Sequence, residues 1–349
     1  MGLVYEKLIR PALFRLDPEE AHNLAVKGLS LLSRSHILCR LMARYNQVNA
    51  IQPIELFGLR FPNRVGIAAG MDKNAQFWRA VGALGFGHIE IGTVTHQAQD
   101  GQPKPRMFRY PQETALINRM GFNNQGAARI AEKLKADSRQ ANRPIVLGIN
   151  IGKSKLIPLR DAAQDYLGSF HLLVDYADYF VINVSSPNTP QLRMLQAVEP
   201  LCELLKALQT ANHKRAEKLG TSPVPLLVKI APDLNFHQVD EILSIAQDAQ
   251  LSGIVVANTT VERPESLLNG ERTGGLSGHP LFSKNLNLVR YIYRATRGRL
   301  PIIGVGGIED ALSAGTMIDA GASLVQVYTA LVYKGPFLGK TLALALAAR

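Results

Sequence analysis

Cysteine is nearly missing from this chain: Cys39 and Cys202 are the only two in 349 residues, too far apart to suggest a disulfide framework. A reducing, cytosolic setting is the expectation. No set of His, Cys, Asp and Glu has metal-ligand spacing, so no metal is expected. No apolar run reaches the roughly 18–20 residues of a membrane-spanning helix. Met1–Leu16 mixes Glu6, Lys7, Arg10 and Arg15 into its apolar residues and offers no cleavage site, so no secretory signal is expected. There is no G-x-S-x-G, and no His flanks Ser186, which speaks against Ser-His-Asp catalysis. Acids are outnumbered: 28 Asp and Glu face 39 Lys and Arg, a net charge of +11. That excess favours an anionic partner such as a phosphate-bearing cofactor, an acidic substrate or an anionic membrane surface. The bases are scattered and form no aromatic-basic ribbon, so no nucleic acid is expected.

What is present describes a globular enzyme-sized chain, 46% hydrophobic and 19% charged. Its first 45 residues differ from the rest. Asp17-Pro18-Glu19-Glu20 reads as a helix start, with Asp17 as N-cap and Glu20 at the capping-box position. Ala21, Leu24, Ala25, Gly28, Leu29, Leu31 and Leu32 follow at helical spacing, and a second amphipathic segment spans Ile37–Tyr45. Seven Lys or Arg stand against four acids here. The pattern fits a helical hairpin packed on the main domain. It fits equally a helix pair lying in a membrane interface, basic side toward lipid phosphates.

From about residue 50, apolar β-branched runs alternate with helical stretches. Eight runs stand out: Arg64–Ala69, His88–Gly92, Ile145–Asn150, Tyr179–Val184, Leu226–Ala231, Gly253–Ala257, Pro301–Val305 and Ser323–Tyr328. Eight such units predict an α/β fold, a closed (β/α)8 TIM barrel with an N-terminal helical extension, whose active site lies at the C-terminal rim. An open doubly wound sheet is the alternative, but the first strand leads into Ala69-Gly70-Met71-Asp72-Lys73 rather than a G-x-G-x-x-G turn.

Each predicted strand ends in polar or glycine residues. The fourth runs into Asn183-Val184-Ser185-Ser186-Pro187-Asn188-Thr189, where Pro187 stops pairing. Taken alone, an Asx or Ser turn with a helix cap at Asn188 or Thr189 accounts for this stretch as well as function does. Eight polar strand ends at one rim are harder to explain as eight separate caps. Lys229 lies inside an apolar run and is costly there unless it faces an anion or a hydrogen-bonding ring, or snorkels to the barrel end. Gly306-Gly307 and Tyr328-Thr329 occupy the usual phosphate position of such barrels, and Gly274–Gly278 adds a flexible loop. The rim is suited to a flat, polar, anionic heterocycle beside a phosphate-bearing cofactor.

The residues also carry a family resemblance. The chain resembles the quinone-linked, membrane-associated class of dihydroorotate dehydrogenases nearly end to end. The match rests on Asp17–His22, Ala68–Asn74, Asn118–Asn124, Asn183–Thr189, Lys229–Pro232, Asn258–Thr260, Gly274–Gly278 and Gly304–Ile308. The resemblance implies one FMN per chain, (S)-dihydroorotate as substrate and orotate as product. It implies proton loss at C5, hydride transfer from C6 to flavin N5, and reoxidation by ubiquinone or menaquinone, within pyrimidine synthesis. By position Ser186 is the base, helped by a relay of Thr189 and a water screened by Phe122, since serine alone is a poor base. Substrate contacts fall to Lys73, Asn118, Asn183, Asn188, Asn258 and Thr259, with backbone from the Asn118–Phe122 loop (Arg119, Met120, Gly121 and Phe122). FMN contacts fall to Ala69, Gly70, Met71, Asp72 and Lys73, to Thr93, Asn150 and Asn183, and to Lys229, Ala257, Ser277, Gly278, Gly307, Tyr328 and Thr329. Lys229 is implied near flavin N1/O2, and His22, Arg109 and Tyr328 around a quinone tunnel.

Ala257 stands where the family often has Thr, and Thr329 where Ser is common. Ser186 and the helical extension both differ from the soluble classes, which use a cysteine base. The expected organisation is therefore 1–45 as a membrane and quinone-tunnel segment and 46–349 as the FMN-binding barrel. The protein is expected to act as a monomer, peripheral on the inner face of the cell membrane. Two other readings are a soluble flavin barrel acting on another dihydropyrimidine, and a non-catalytic membrane-bound FMN-binding scaffold. The first predicts reduction by NAD(P)H, and the second predicts flavin that dihydroorotate does not bleach.

Overall fold

A strand buried on both faces needs an unbroken apolar run, and this chain folds eight of them into a barrel. The computed structural model describes residues 2–46, 53–138, 145–271 and 273–347, without the side chain of Ser138. Met1 and Arg349, the outer limits of the two expected segments, lie outside the described residues. The barrel strands are β1 (Val65–Ile67), β2 (His88–Val94), β3 (Val146–Ile151), β4 (Tyr179–Asn183), β5 (Leu226–Lys229), β6 (Gly253–Val256), β7 (Ile302–Val305) and β8 (Leu324–Val327). All pair in parallel with their sequence neighbours, and β8 pairs with β1 to close the ring. Every expected run coincides with one strand. Most are a little shorter than expected, while β2 and β3 run on past Gly92 and Asn150.

Alternation along each strand divides the core in two. Ile89, Ile91, Leu147, Ile149, Phe180, Ile182 and Val228 face outward into one large cluster with the surrounding helices. Val146, Tyr179, Val181, Leu227, Val255, Ile303 and Leu324 fill the interior. A hairpin of Ile54–Leu56 and Leu59–Phe61 closes the N-terminal end, with Phe61 edge-on to His88 at 5.5 Å. His88 is fully buried, and burial pushes its pKa down to about 3, so the imidazole there is neutral. At the opposite end, Met107–Tyr110, Ala115–Asn118 and Gly275–Gly278 form a three-stranded antiparallel sheet. It is built from the connections after β2 and β6.

Helix α1 (Pro18–Arg34) begins as expected: the Asp17 carboxylate accepts from the backbone N–H groups of Glu19 and Glu20 at 2.8 and 3.2 Å. Helix α2 (His36–Asn46) follows, extending just past the expected segment at each end. The two expected readings of this hairpin are not exclusive. Val26, Leu29 and Met42 pack on the outer barrel core, while Leu24, Leu31, Ile37, Leu38 and Leu41 are exposed. A further helical stretch over residues 2–13, which periodicity does not signal, is tied to the end of the chain by Tyr5 donating to the Val332 carbonyl at 2.8 Å. Among the described residues no helix is long and apolar enough to cross a membrane.

Candidate active site

The C-terminal ends of the barrel strands surround a cavity roofed by the three-stranded sheet. Parallel strands deliver their terminal side chains to this one rim, so residues from both ends of the barrel sequence, Gly70 and Thr329 among them, meet here. From the loop after β1 come Ala69, Gly70 and Lys73, and from β2 comes Thr93. The roof and its flank supply Asn118, Met120, Gly121, Phe122, Ser277 and Gly278. The loops after β4 and β6 bring Asn183, Ser186, Asn188, Ala257, Asn258 and Thr259, while Lys229, Gly307, Tyr328 and Thr329 complete the wall.

Four expected contacts lie elsewhere. Asp72 is buried behind the lining, where its carboxylate accepts from the Gln76 and Phe77 N–H groups at 2.8 Å each and shapes the loop after β1. Asn150 sits one layer below the cavity, accepting from Thr93 at 2.6 Å and from Asn183 at 3.1 Å. The Arg119 side chain turns to Glu271 at 3.3 Å and to the Pro105 carbonyl, away from the lining. Met71 belongs to a second cavity.

That second cavity is almost wholly apolar and lies between the N-terminal helices and the barrel, with His22 and Arg109 in its wall. Tyr328 lines both cavities and forms part of the partition between them. Burial, reinforced by the Lys73 charge, pushes the His22 pKa down to about 3 and keeps this imidazole neutral. Arg109 donates to the carbonyls of Leu13 and Leu16 and lies over the Phe14 ring at 4.5 Å.

Within the first cavity, the Ser186 residue is 5% exposed and its hydroxyl accepts from the Asn188 backbone N–H at 3.2 Å. Asn188 in turn donates from its side chain to the Asn118 carbonyl at 3.1 Å. Thr189 is buried nearby in sequence, and its hydroxyl has no hydrogen-bond partner among the described residues. Lys73 donates to the Gly70 carbonyl at 2.8 Å, and burial pushes its pKa down to about 8. Gly307 has φ +73°, and a Cβ there would lie 2.5 Å from the Phe282 Cα, so only glycine lets the backbone line the wall at that point.

Three residues that matter here escape the sequence reading. Glu90, fully buried in β2, stands 3.6 Å from Lys229 and answers its charge from inside the barrel. Its signal is the same as that of Lys229: a charge inside an apolar run. Gln326 donates to Glu90 at 2.9 Å, leaving its carbonyl oxygen without a partner at the cavity wall. Arg193 donates to the carbonyls of Ser185 and Thr259 at 3.0 Å each and pairs with Asp233 at 2.8 Å, tying together the loops after β4 and β6.

The family model described as Dihydroorotate dehydrogenase matches residues 53–349. A dihydroorotate dehydrogenase (quinone) from Chloroflexus aurantiacus is 49% identical over 347 residues, covering 97% of this chain and 94% of that protein. Its counterpart from Acidithiobacillus ferrooxidans is 48% identical over 334 residues, covering 95% and 91%. Among solved structures, DHODH from Eimeria tenella in complex with ferulenol superposes with a TM-score of 0.83 at 36% identity, covering 99% of this chain and 93% of that one.

Proposed function

Because the chain belongs to the dihydroorotate dehydrogenase family, we propose that the cavity at the barrel rim is where it oxidises (S)-dihydroorotate to orotate, with Ser186 as base and FMN as the cofactor. The activity is dihydroorotate oxidation with a quinone as acceptor, a step of pyrimidine biosynthesis. One observation carries the site reading: Ser186, Lys73 and four asparagines (Asn118, Asn183, Asn188 and Asn258) line a single cavity.

Amide side chains offer a donor and an acceptor on one edge, which is what the ring amides of a dihydropyrimidine require. The Lys73 ammonium balances the substrate carboxylate. Ser186 removes the C5 proton, and the Asn188 N–H at its oxygen stabilises negative charge developing there. The Thr189 hydroxyl is the candidate for passing that proton on. The residues fit a flavin: the unpartnered Gln326 oxygen suits a ring N–H, Lys229 suits an anionic pyrimidine edge, and Gly278 and Gly307 suit a phosphate. Bound there, FMN supplies a two-electron acceptor that a quinone can reoxidise.

The apolar cavity beside Tyr328, with His22 and Arg109 in its wall, is the proposed quinone site. The exposed Leu24, Leu31, Ile37, Leu38 and Leu41 support seating of the hairpin in a membrane interface; the inner face of the cell membrane and a peripheral monomer complete the proposal. The direct test is anaerobic. Dihydroorotate added to the purified yellow protein is expected to bleach the flavin, and a quinone analogue to restore the colour; flavin that stays oxidised with dihydroorotate sinks the proposal.

Lys73 adds a pH signature. With its pKa lowered to about 8, the ammonium is lost as pH rises through that value. Orotate affinity, followed by the change in the flavin spectrum, is therefore expected to be level below about pH 8 and to weaken about tenfold per pH unit above it. K73M is expected to bind weakly with no such break, and a wild-type profile level to about pH 10, near the ordinary lysine value, removes Lys73 from carboxylate recognition.

A further inference from the structure

We propose that Glu90 is a positioning residue that sets the donor and acceptor direction of the Asn150 and Gln326 amides beneath the rim and holds the Lys229 charge in place. The inference rests on the site reading above. An ionised carboxylate only accepts hydrogen bonds, whereas each amide has one donating and one accepting end. Glu90 is fully buried at the centre of the barrel, shielded from bulk solvent. Its Oε1 accepts from Asn150 Nδ2 at 2.6 Å, and its Oε2 from Gln326 Nε2 at 2.9 Å.

The neighbouring amides are oriented in agreement with that anchor. With Nδ2 of Asn150 committed to Glu90, its Oδ1 must point the other way, and it accepts from Thr93 Oγ1 at 2.6 Å and Asn183 Nδ2 at 3.1 Å. The Asn183 Nδ2 also donates to Thr93 Oγ1 at 2.9 Å. Asn183 Oδ1 is thereby turned to accept from the Ser185 N–H at 3.2 Å, the Ser185 hydroxyl at 3.1 Å and Asn258 Nδ2 at 3.3 Å. Asn258 Oδ1 then accepts from the Thr259 N–H at 2.8 Å. On the other side, Gln326 is left with its oxygen facing no partner at the cavity wall. One carboxylate below the site thus fixes the hydrogen-bonding edges of Asn150 and Gln326, in the same sense in which the Ser185 and Thr259 N–H groups hold Asn183 and Asn258. The same carboxylate lies 3.6 Å from the Lys229 ammonium.

E90Q keeps the shape but adds an N–H₂ group and removes the charge. Asn150 and Gln326 lose their fixed direction, and Lys229 becomes an uncompensated cation where it would stabilise a reduced flavin. The flavin midpoint potential of E90Q is expected to rise by at least about 30 mV, a tenfold change in the two-electron equilibrium. Orotate affinity is expected to fall about tenfold in the same protein. A role confined to packing changes the unfolding midpoint and leaves both quantities at wild-type values, which overturns the proposal. Should E90Q not fold with flavin bound, E90D carries the test. Drawing the carboxylate back by one methylene is expected to move both quantities in the same directions, and wild-type values for both overturn it. A wild-type protein that binds no flavin sinks the site reading instead, so the two failures are distinguishable.

Discussion

S186A is expected to slow anaerobic flavin reduction by dihydroorotate about 10²–10⁴-fold, the usual contribution of a positioned general base. Orotate affinity and the reoxidation of reduced flavin by a quinone analogue are expected to change little. The separation follows from geometry. Ser186 is 5% exposed and its hydroxyl is held by the Asn188 N–H, so removing that hydroxyl deletes no amide or lysine from the substrate wall. A stopped-flow measurement of bleaching separates the two half-reactions. Serine ionises far above neutral pH, so S186C, with an ordinary thiol pKa of about 8.5, is expected to retain more rate than S186A and to shift the pH profile downward. Bleaching of S186A at the wild-type rate would remove Ser186 from the chemistry.

E19Q is the second large effect, on stability rather than rate. Glu19 in the first turn of α1 meets Arg106 through two hydrogen bonds of 3.0 and 2.8 Å, and both side chains are 8% exposed. Arg106 also donates to the carbonyls of Asp100 and Gln102, holding the loop whose Gln102 N–H reaches the Met120 carbonyl at the active site. Breaking a buried pair from one side leaves the other charge without compensation and costs about 3–5 kcal/mol. Burial acts to raise the Glu19 pKa, but the Arg106 hydrogen bonds and charge, with Lys104, outweigh it and hold the carboxyl below its ordinary value. A depressed folded pKa contributes stability above the ordinary carboxylate range, and that contribution disappears as pH falls through the lowered value. The gap between wild type and E19Q in urea unfolding is therefore expected to be widest near neutral pH and to narrow in acid. A gap under about 1 kcal/mol that ignores pH would mark the pair as an ordinary surface contact.

Barrel closure and the strand-end part of the cavity wall were legible because they depend on local pattern, whereas Asn118, Met120, Gly121 and Phe122 of the roof were named only by family resemblance. A strand buried on both faces must be apolar throughout, so polar residues at its end stand out, and parallel strands carry all such ends to one rim. The hairpin start at Asp17 was legible for the same reason, since a cap involves neighbours in sequence. Glu90 was not. A charge in an apolar run signals a special position, but its partners Asn150, Lys229 and Gln326 come from three other strands.

Sequence by itself thus determined the barrel, the polar ends of its strands and the helical start of the extension, because periodicity and capping act over a few residues. Tertiary structure alone decided that Asp72 and Asn150 support the wall rather than line it, that Arg119 turns outward to Glu271, and that Tyr328 borders two cavities. Those outcomes depend on which buried donors find which acceptors across strands far apart in the chain, and satisfying every buried polar group is a condition on the whole fold.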